Sequence, residues 1–544
     1  MRPFLRPLPR AVTRPVSVLL LIGWAAVMAV LIDRSYLQAS TSLATDLARY
    51  GSAAVWRGVY YRGEKIGFTV SQTVPKDDGF ELEEDGRLQM SLLGATTAAT
   101  IRTTAHVDKS FALRAFEFSL DPGTGPVEVS GKIDGKRLSL DIKTASGTRS
   151  EVRELEEPPA LSQSISRRLA NGGLVPGTKY HWTVFDPATL RNSKVNVEVR
   201  RRELVRGAGA TPLPAFRVEM EFAGLKTSSW ITDTGEVVRE ESPLGLITVR
   251  ESADSARAMA VSRRMQVDLL QAAAVAPRMT TPIPEPRDVR LMRIRLGGAD
   301  LSLLDLEGGA QRLAGDVLEL RDPQALQPER ADADTARYLV SEAFIESDAP
   351  EIVAEAQKAV NGVTGARARA ERLTRYVNAL LDKKPTVSLP SAREVLRTKV
   401  GDCNEHTVLY VAMARALGIP ARIAVGLVYI HGAFYYHAWP EVYLPEGAGG
   451  SGLGAGQSGL GLWLPVDPTL NEFPANATHL RLARGGLDKQ TVILPLMGRL
   501  TMDVQDVELA PNRTPILVGR EPLDLGSLAI PIPRRESSCR ACCK

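Results

Sequence analysis

The chain has 544 residues, of which 44% are hydrophobic and 24% charged, and its formal net charge at pH 7 is +4. These values are ordinary for a globular protein and argue against a disordered chain, while the length predicts three or four domains. The net charge is small and no nucleic-acid-binding motif is present, so we do not expect nucleic acid as a partner.

The N-terminal segment has the pattern of a membrane anchor. Four arginines within the first 14 residues precede an uncharged apolar run of 17 residues at 16–32. That run reaches the short end of the roughly 17–25 residues that span a bilayer and exceeds the apolar part of a signal peptide. We predict an uncleaved single-pass helix, with residues 1–33 as cytoplasmic tip and anchor. The arginines orient the rest of the chain outward, which in a bacterium means the periplasmic side of the inner membrane.

Residues 51–250 alternate between apolar and polar side chains with a period of two, which is typical of strands with one buried face. Turn pairs punctuate the alternation at Arg62-Gly63, at Asp134-Gly135 and again at 233–235. We predict a large antiparallel β-rich domain with a helix at about 160–170 covering part of the sheet, an α+β arrangement. A scaffold is the simpler interpretation of this domain, and a binding site for a partner or an apolar ligand is the alternative.

Two shorter regions flank the remaining domain. Residues 277–286 are rich in proline and predict an extended linker, and clean alternation after it predicts a small β module, so that 277–325 form linker and module. Residues 487–544 predict one or two strands followed by a mobile, proline-rich tail. Three of the four cysteines crowd the end of this tail, and the sequence assigns them no role.

Residues 334–486 begin with helices. Asp348 is the predicted cap of the first helix and Pro350 suits its first turn. A second helix is predicted at about 366–381, and Ser391 with Glu394 forms a predicted capping box for a short third one.

The stretch VGDCNEHTVLYVAMARALGIP, residues 400–420, builds a helix directly behind a cysteine. Gly401 and Asp402 interrupt the preceding structure, and apolar residues then recur at helical spacing until Gly418. Cys403 is therefore predicted at a helix N-terminus. There the helix dipole favours a thiolate, and free N–H groups could hold an oxyanion.

Two further residues complete a possible constellation. His437 lies in FYYHAWPEVYL, which alternates like a strand, and Asp467 lies in WLPVDPT at the end of another. A thiol, an imidazole and a carboxylate supply the nucleophile, the base and the group that orients the base. Each residue taken alone is more often structural. Together, and in this order, they predict a catalytic site that the fold must assemble.

The segments GDCNEH, RALGIPAR, YHAWPEVYL and WLPVDPT together resemble the catalytic core of the transglutaminase-like superfamily. The resemblance covers about residues 334–486 and implies helices packed on an antiparallel sheet, with papain-like chemistry. It implies Cys403 as nucleophile, His437 as general base and acid, and Asp467 as orienter. A glycine-rich insert at 447–461 departs from the pattern and lengthens the loop between the two strands.

His406, three residues after Cys403, is the rival base because it shares a helix face with the thiol. The resemblance places the base on the strand instead, which leaves His406 as a packing residue or an outer support of the site. The sequence contains neither a phosphate-binding glycine loop nor an acidic calcium loop, so we expect no cofactor and no metal.

These observations predict a membrane-anchored, extracytoplasmic, transglutaminase-like cysteine enzyme that acts on protein or peptide amides through a thioester. A cysteine protease or amidase of the same fold is one alternative. The other is a non-catalytic protein that binds a component of the cell envelope. The sequence does not indicate an oligomeric state.

Overall fold

The computed structural model describes residues 50, 54–92, 95–123, 125–207, 211–222, 225–258, 273–302, 304–326, 329–330, 335–384, 391–445, 460–486, 493 and 495–510. The predicted membrane span, most of the glycine-rich insert and the cysteine-rich tail lie outside these residues. Within the described part, no helix combines the length and the apolar character needed to cross a membrane. The chain divides into units 1–55 and 56–544, and the description below concerns the second.

The largest element is a fourteen-stranded antiparallel sheet built from two meanders, β1–β8 and β9–β14, that join where β1 pairs with β14. Its strands are β1 (Val55–Tyr61), β2 (Glu64–Lys76), β3 (Gly79–Leu92), β4 (Ala95–Asp108), β5 (Leu113–Asp121), β6 (Val127–Asp134), β7 (Arg137–Thr144), β8 (Gly147–Glu154), β9 (Lys179–Asp186), β10 (Arg191–Val205), β11 (Leu213–Phe222), β12 (Leu225–Ile231), β13 (Val237–Glu241) and β14 (Leu246–Glu251). The large antiparallel sheet that the alternation predicts is therefore confirmed.

The predicted turns of this sheet have the backbone that hairpins require. Arg62 and Gly63 both have positive φ between β1 and β2, as a tight hairpin with the right-handed strand twist demands. Helix α1 (Ser162–Gly172) lies where a helix is predicted, and its Ile165 and Leu169 pack against apolar residues of β9 and β10. A short helix, α2 (Ala253–Arg257), follows the last strand.

The cysteine-bearing core consists of four helices on a five-stranded sheet, the arrangement that the family resemblance implies. The helices are α3 (Pro350–Ala359), α4 (Ala366–Leu380), α5 (Ala392–Thr398) and α6 (Cys403–Ala416). The sheet runs in the order β18-β23-β22-β21-β24, with β18 (Glu329–Arg330), β21 (Ala421–Ile430), β22 (Ala433–Pro445), β23 (Leu460–Pro465) and β24 (His479–Gly485). A separate parallel pair is formed by β19 (Asp382–Lys383) and β20 (Val400–Gly401). One apolar cluster joins α3, α4 and α6 to β21 and β22, so the central helix α6 is buried along most of its length.

A four-stranded sheet packs against the core. It contains β15 (Val289–Gly297), β16 (Gln311–Ala314), β17 (Val317–Arg321) and β25 (Thr501–Leu509). Met292 and Ile294 of β15 share an apolar cluster with Leu427 of β21 and Leu480 of β24. The small β module predicted after the linker is thus completed by a strand from the C-terminal region.

Two predicted helix caps differ from the structure. The N-cap residue of α3 is Ala349, whose methyl side chain cannot accept a hydrogen bond. Asp348 instead accepts a hydrogen bond from the Ser341 hydroxyl. Ser391 does cap α5 by accepting the N–H of Glu394, but the Glu394 carboxylate accepts Arg397 and the Ser146 hydroxyl, both at 3.1 Å, and does not complete the predicted box. Both differences arise because a nearby acidic group or hydroxyl offers a contact that the local sequence does not reveal.

Candidate active site

A capping box fixes the start of α6 and therefore the position of Cys403. The Asp402 carboxylate accepts the N–H of Asn404 at 2.9 Å, and the Glu405 carboxylate accepts the N–H of Asp402 at 2.8 Å. Gly401 is needed beside this box because a Cβ there would lie 2.2 Å from the Cβ of Glu405. The helix begins at Cys403 itself, which agrees with the predicted helix N-terminus.

Helix α6 and strand β22 meet at Ala438, the residue after His437. The N–H of Ala438 donates to the sulfur of Cys403, and its carbonyl accepts the hydroxyl of Thr407 at 3.1 Å. Helix α6 thus provides a hydrogen-bond partner for both the N–H and the carbonyl of Ala438. These contacts place the partly exposed Cys403 side chain next to the backbone of His437.

The expected thiolate is not favoured in this structure. Desolvation of the sulfur, together with the negative charges of Asp402 and Glu405, raises the pKa of Cys403 well above its ordinary value. Desolvation is the larger cause, and the capping box adds to it, since Asp402 sets a carboxylate against the positive end of the helix dipole. The same cap occupies N–H groups in the first turn that were expected to be free for an oxyanion.

Removing the charge of Asp402 tests this account. Asparagine at this position remains a good N-cap, so Asp402→Asn removes the charge and keeps the helix start. We expect iodoacetamide to label Cys403 roughly three- to tenfold faster at pH 7, because the thiolate fraction rises as the thiol pKa falls. Mass spectrometry of the peptide that carries Cys403 separates this rate from labelling of the tail cysteines.

The control for this measurement is Asp348→Asn, which alters a carboxylate whose side chain is 69% exposed on the loop before α3. Its labelling rate should equal that of the wild type. An unchanged rate in Asp402→Asn would mean that the Asp402 charge does not contribute to the raised pKa of Cys403.

His437 and Asp467 are in direct contact. The Nε2 of His437 lies 2.7 Å from the Oδ2 of Asp467, and the side chains are 8% and 0% exposed. The other oxygen, Oδ1, accepts the N–H groups of Thr469 and Leu470 at 2.7 and 2.8 Å. Burial alone would raise the pKa of Asp467, but the charge and hydrogen bond of His437, together with those of His479, hold it well below its usual range.

A second histidine, His479, shares the same carboxylate oxygen, and the sequence analysis did not identify it. Its Nε2 lies 3.0 Å from the Oδ2 of Asp467, and its side chain is 2% exposed. The strand order explains why His437 and His479 lie close together, because β22 and β24 pair on either side of β21. His437 stands opposite Gly426 and His479 opposite Val428. No motif of the sequence marks His479, which follows Asp467 by 12 residues.

The remaining candidate base, His406, is fully buried in the first turns of α6. Its Nδ1 lies 2.7 Å from the carbonyl oxygen of Asp402, so this nitrogen carries the proton and donates to the helix backbone. Burial lowers the pKa of His406, which favours the neutral ring. These contacts suit a packing residue, which is the interpretation that the resemblance favours.

His437, Asp467 and His479 also bring one nitrogen or oxygen each within 4.8 Å of one another, a spacing that a metal ion could use. The hydrogen bonds of 2.7 and 3.0 Å to Asp467 account for the arrangement without an ion. A metal in this position would displace the Nε2 protons that orient the two rings. We therefore treat the three side chains as a hydrogen-bonded cluster.

The fold and these contacts define a class of site: a cysteine at the start of a central helix, beside a histidine–aspartate pair on an antiparallel sheet. Residues 353–468 match the sequence profile described as Transglutaminase-like superfamily, and this segment holds Cys403, His437 and Asp467. The predicted family resemblance is confirmed, and this part of the chain is a core of the transglutaminase-like superfamily. Members of that superfamily are usually cysteine-dependent enzymes.

Several solved structures are similar to parts of the chain. A candidate cysteine protease from Cytophaga hutchinsonii is 16% identical, with a TM-score of 0.25, and the match covers 42% of this chain and 89% of that one. The periplasmic domain of TgpA from Pseudomonas aeruginosa is 18% identical over 38% of this chain and 94% of that one, with a TM-score of 0.25. A sequence comparison with curated proteins found no match.

Proposed function

We propose that the protein is a cysteine acyl-transfer enzyme that acts on protein or peptide amides, with Cys403 as nucleophile, His437 as base and acid, and Asp467 as orienter. The observation that carries the proposal is the buried His437–Asp467 hydrogen bond next to the point where Ala438 holds the Cys403 sulfur. Because the Nε2 of His437 faces Asp467, its Nδ1 remains as the nitrogen that can take the thiol proton.

The first half of the proposed reaction forms a thioester. The Nδ1 of His437 accepts the proton of the Cys403 thiol as the sulfur attacks the amide carbonyl, which gives a tetrahedral intermediate. His437 then returns that proton to the leaving nitrogen, the carbon–nitrogen bond breaks and an amine or ammonia departs. The raised pKa of Cys403 supports proton transfer during the attack rather than a thiolate formed beforehand.

The second half releases the acyl group. His437 takes a proton from an incoming amine or water molecule, which attacks the thioester carbonyl, and the sulfur leaves and regains a proton. An amine acceptor gives a new amide bond, and water gives a carboxylic acid. The two outcomes correspond to a transglutaminase and to an amidase or protease, and they share every step before the acceptor enters.

We further propose that the enzyme works outside the cytoplasm, tethered by its N-terminal segment. The support for this location is the sequence pattern of arginines followed by the uncharged apolar run at 16–32. A reporter fused after Gly51 should register as extracytoplasmic, and a mature N-terminus beyond Ile32 would show a cleaved signal instead.

The test of the reaction uses the full-length chain in detergent with a glutamine-containing peptide, with and without a fluorescent primary amine. We expect ammonia release in both cases and conjugation of part of the peptide when the amine is present, since water and amine compete for one thioester. Cleavage of the peptide backbone would instead identify a protease.

Two variants control this assay. Cys403→Ala removes the proposed nucleophile and should abolish all products, whereas Cys542→Ala changes only a tail cysteine and should match the wild type. Equal product formation by Cys403→Ala and the wild type would refute the proposal and favour the non-catalytic alternative.

A further inference from the structure

Both ring nitrogens of His479 face oxygen atoms that can only accept hydrogen bonds. Its Nε2 lies 3.0 Å from the Oδ2 of Asp467, and its Nδ1 lies 3.1 Å from the carbonyl oxygen of Asn476. The ring is 2% exposed, and Trp439 packs edge to face against it with ring centroids 5.2 Å apart. A neutral imidazole carries one proton and would leave one of these two nitrogens facing an acceptor without a hydrogen to give.

Asp467 does not supply the missing proton. Even without His479, its two oxygens receive three N–H groups, one from His437 and two from the backbone of Thr469 and Leu470. Three donors stabilise the ionised carboxylate, which therefore faces His479 as an acceptor. The second proton therefore has to reside on His479.

We propose that His479 is a positioning residue of this site, a permanently protonated imidazolium that fixes the Asp467 carboxylate and partly offsets its charge before His437. The proposal rests on the proposed function in one respect, that His437 is the base. Its structural half, the double protonation of His479, stands on the hydrogen-bond geometry alone.

The charges around His479 agree with this protonation state. Burial alone would lower the pKa of His479, but the hydrogen bond and the charge of Asp467 outweigh it, and the pKa is raised. Glu472, on the same loop as Asp467, adds a second favourable carboxylate, which is itself paired with Arg287 at 2.9 Å. The opposing group is His437, whose ring centroid lies 6.0 Å away and which gains a charge during the reaction.

This arrangement gives His479 an effect on catalysis without contact with substrate. When His437 takes the thiol proton, its new charge is attracted by Asp467 and repelled by His479. The cation thus prevents the buried carboxylate from holding the proton on His437 too tightly, so that His437 can pass the proton to the leaving amine. It also keeps Oδ2 aimed at the Nε2 of His437.

The structural half is tested by nitrogen NMR of the full-length chain labelled with 15N-histidine. The chain has six histidines, and a His→Gln variant of each assigns its signals. We expect both ring nitrogens of His479 to carry protons at pH 7.5, with no titration between pH 5.5 and 8.5. A signal typical of one protonated and one bare nitrogen overturns the proposal, whatever the enzyme's activity.

The catalytic half is tested with His479→Gln, which keeps an N–H donor of similar reach and removes the charge. We expect kcat to fall about 10- to 100-fold with KM unchanged, the usual cost of losing a group that orients a reacting side chain. The limb of the pH–rate profile that reports His437 should move by about one to two pH units toward alkaline pH, since a cation about 6 Å away is lost. A wild-type pH profile would overturn the positioning role.

The matched control is His181→Gln, which alters an exposed histidine of β9 that contacts Asn196 at 2.7 Å. It should keep the wild-type kcat and pH profile. If the wild type turns over no amide, the proposed function fails, and the pH profile of Cys403 alkylation takes the place of kcat. A shift of that profile in His479→Gln, with none in His181→Gln, then supports the proposal, and no shift in either variant overturns it.

Discussion

Replacing Asp467 by asparagine is expected to lower kcat by about 10⁴-fold and to destabilise the core by roughly 3–5 kcal/mol. The reason is the number of donors around the side chain. Each carboxylate oxygen accepts two N–H groups, from His437 and His479 on one side and from Thr469 and Leu470 on the other. An amide has one oxygen and one NH₂ group, so in either orientation two buried N–H groups face another donor.

Turnover measurements check the predicted loss of kcat, and hydrogen exchange of peptides from the core checks the predicted loss of stability. The matched control is Asp316→Asn, because the Asp316 carboxylate is 60% exposed and pairs with Arg295 at 3.3 Å on the surface of the four-stranded sheet. That variant should lose less than about 1 kcal/mol and no activity. Wild-type turnover by Asp467→Asn would show that the carboxylate has a structural role only.

The parts of the core that follow from local pattern could be predicted from the sequence. The helical spacing behind Cys403 and the alternation around His437 correspond to α6 and β22, although both elements are buried along most of their length and not on one face only. The turn at Arg62-Gly63 followed from the glycine, which adopts a φ of 87° at no steric cost. The motif order identified residues that the structure brings to one place, and their catalytic roles stay predictions.

The features that could not be predicted from the sequence depend on pairing between strands far apart in the chain and on burial. His479 meets Asp467 only because β24 pairs with β21, and Gly426 permits that approach, since a Cβ there would lie 2.0 Å from the carbonyl oxygen of Leu480. Strand β25 joins β15 across about 200 residues of chain, as the contact of Arg293 with Asp506 shows. The direction of the Cys403 pKa shift depends on how much water the sulfur loses, which no local pattern reports.

A buried ion cluster holds the strands that carry the two histidines. The Glu441 carboxylate of β22, 4% exposed, accepts the Nε of Arg422 in β21 at 2.8 Å and the Nη1 of Arg481 in β24 at 3.2 Å. The guanidinium of Arg422 also lies 3.9 Å from the ring centroid of Trp463 in β23. Three of the five strands therefore meet at one carboxylate, a fourth joins them through Trp463, and two of the four carry His437 and His479.

Replacing Glu441 by glutamine should destabilise the five-stranded sheet by about 3–5 kcal/mol, because two buried guanidinium groups lose the charge that balances them. Hydrogen exchange of peptides from β21 to β24 measures this cost locally, and thus avoids the assumption that so large a chain unfolds in one step. The matched control is Glu319→Gln, because Glu319 also lies between two arginines, Arg293 and Arg321, but these are 40% and 60% exposed. That variant should lose less than about 1 kcal/mol.

The cost of Glu441→Gln should also depend on pH. Burial alone would raise the pKa of Glu441, but Arg422, Arg481 and Arg484 outweigh it and lower the pKa to about 2. The ionised group therefore stabilises the fold above the unfolded-state pKa of about 4.3, and this contribution disappears as the pH falls toward 2. The difference in protection between the wild type and Glu441→Gln should be constant from about pH 5 to 8 and shrink below about pH 4. A difference that stays the same at pH 3 would mean that packing around the side chain, rather than its charge, holds the four strands together.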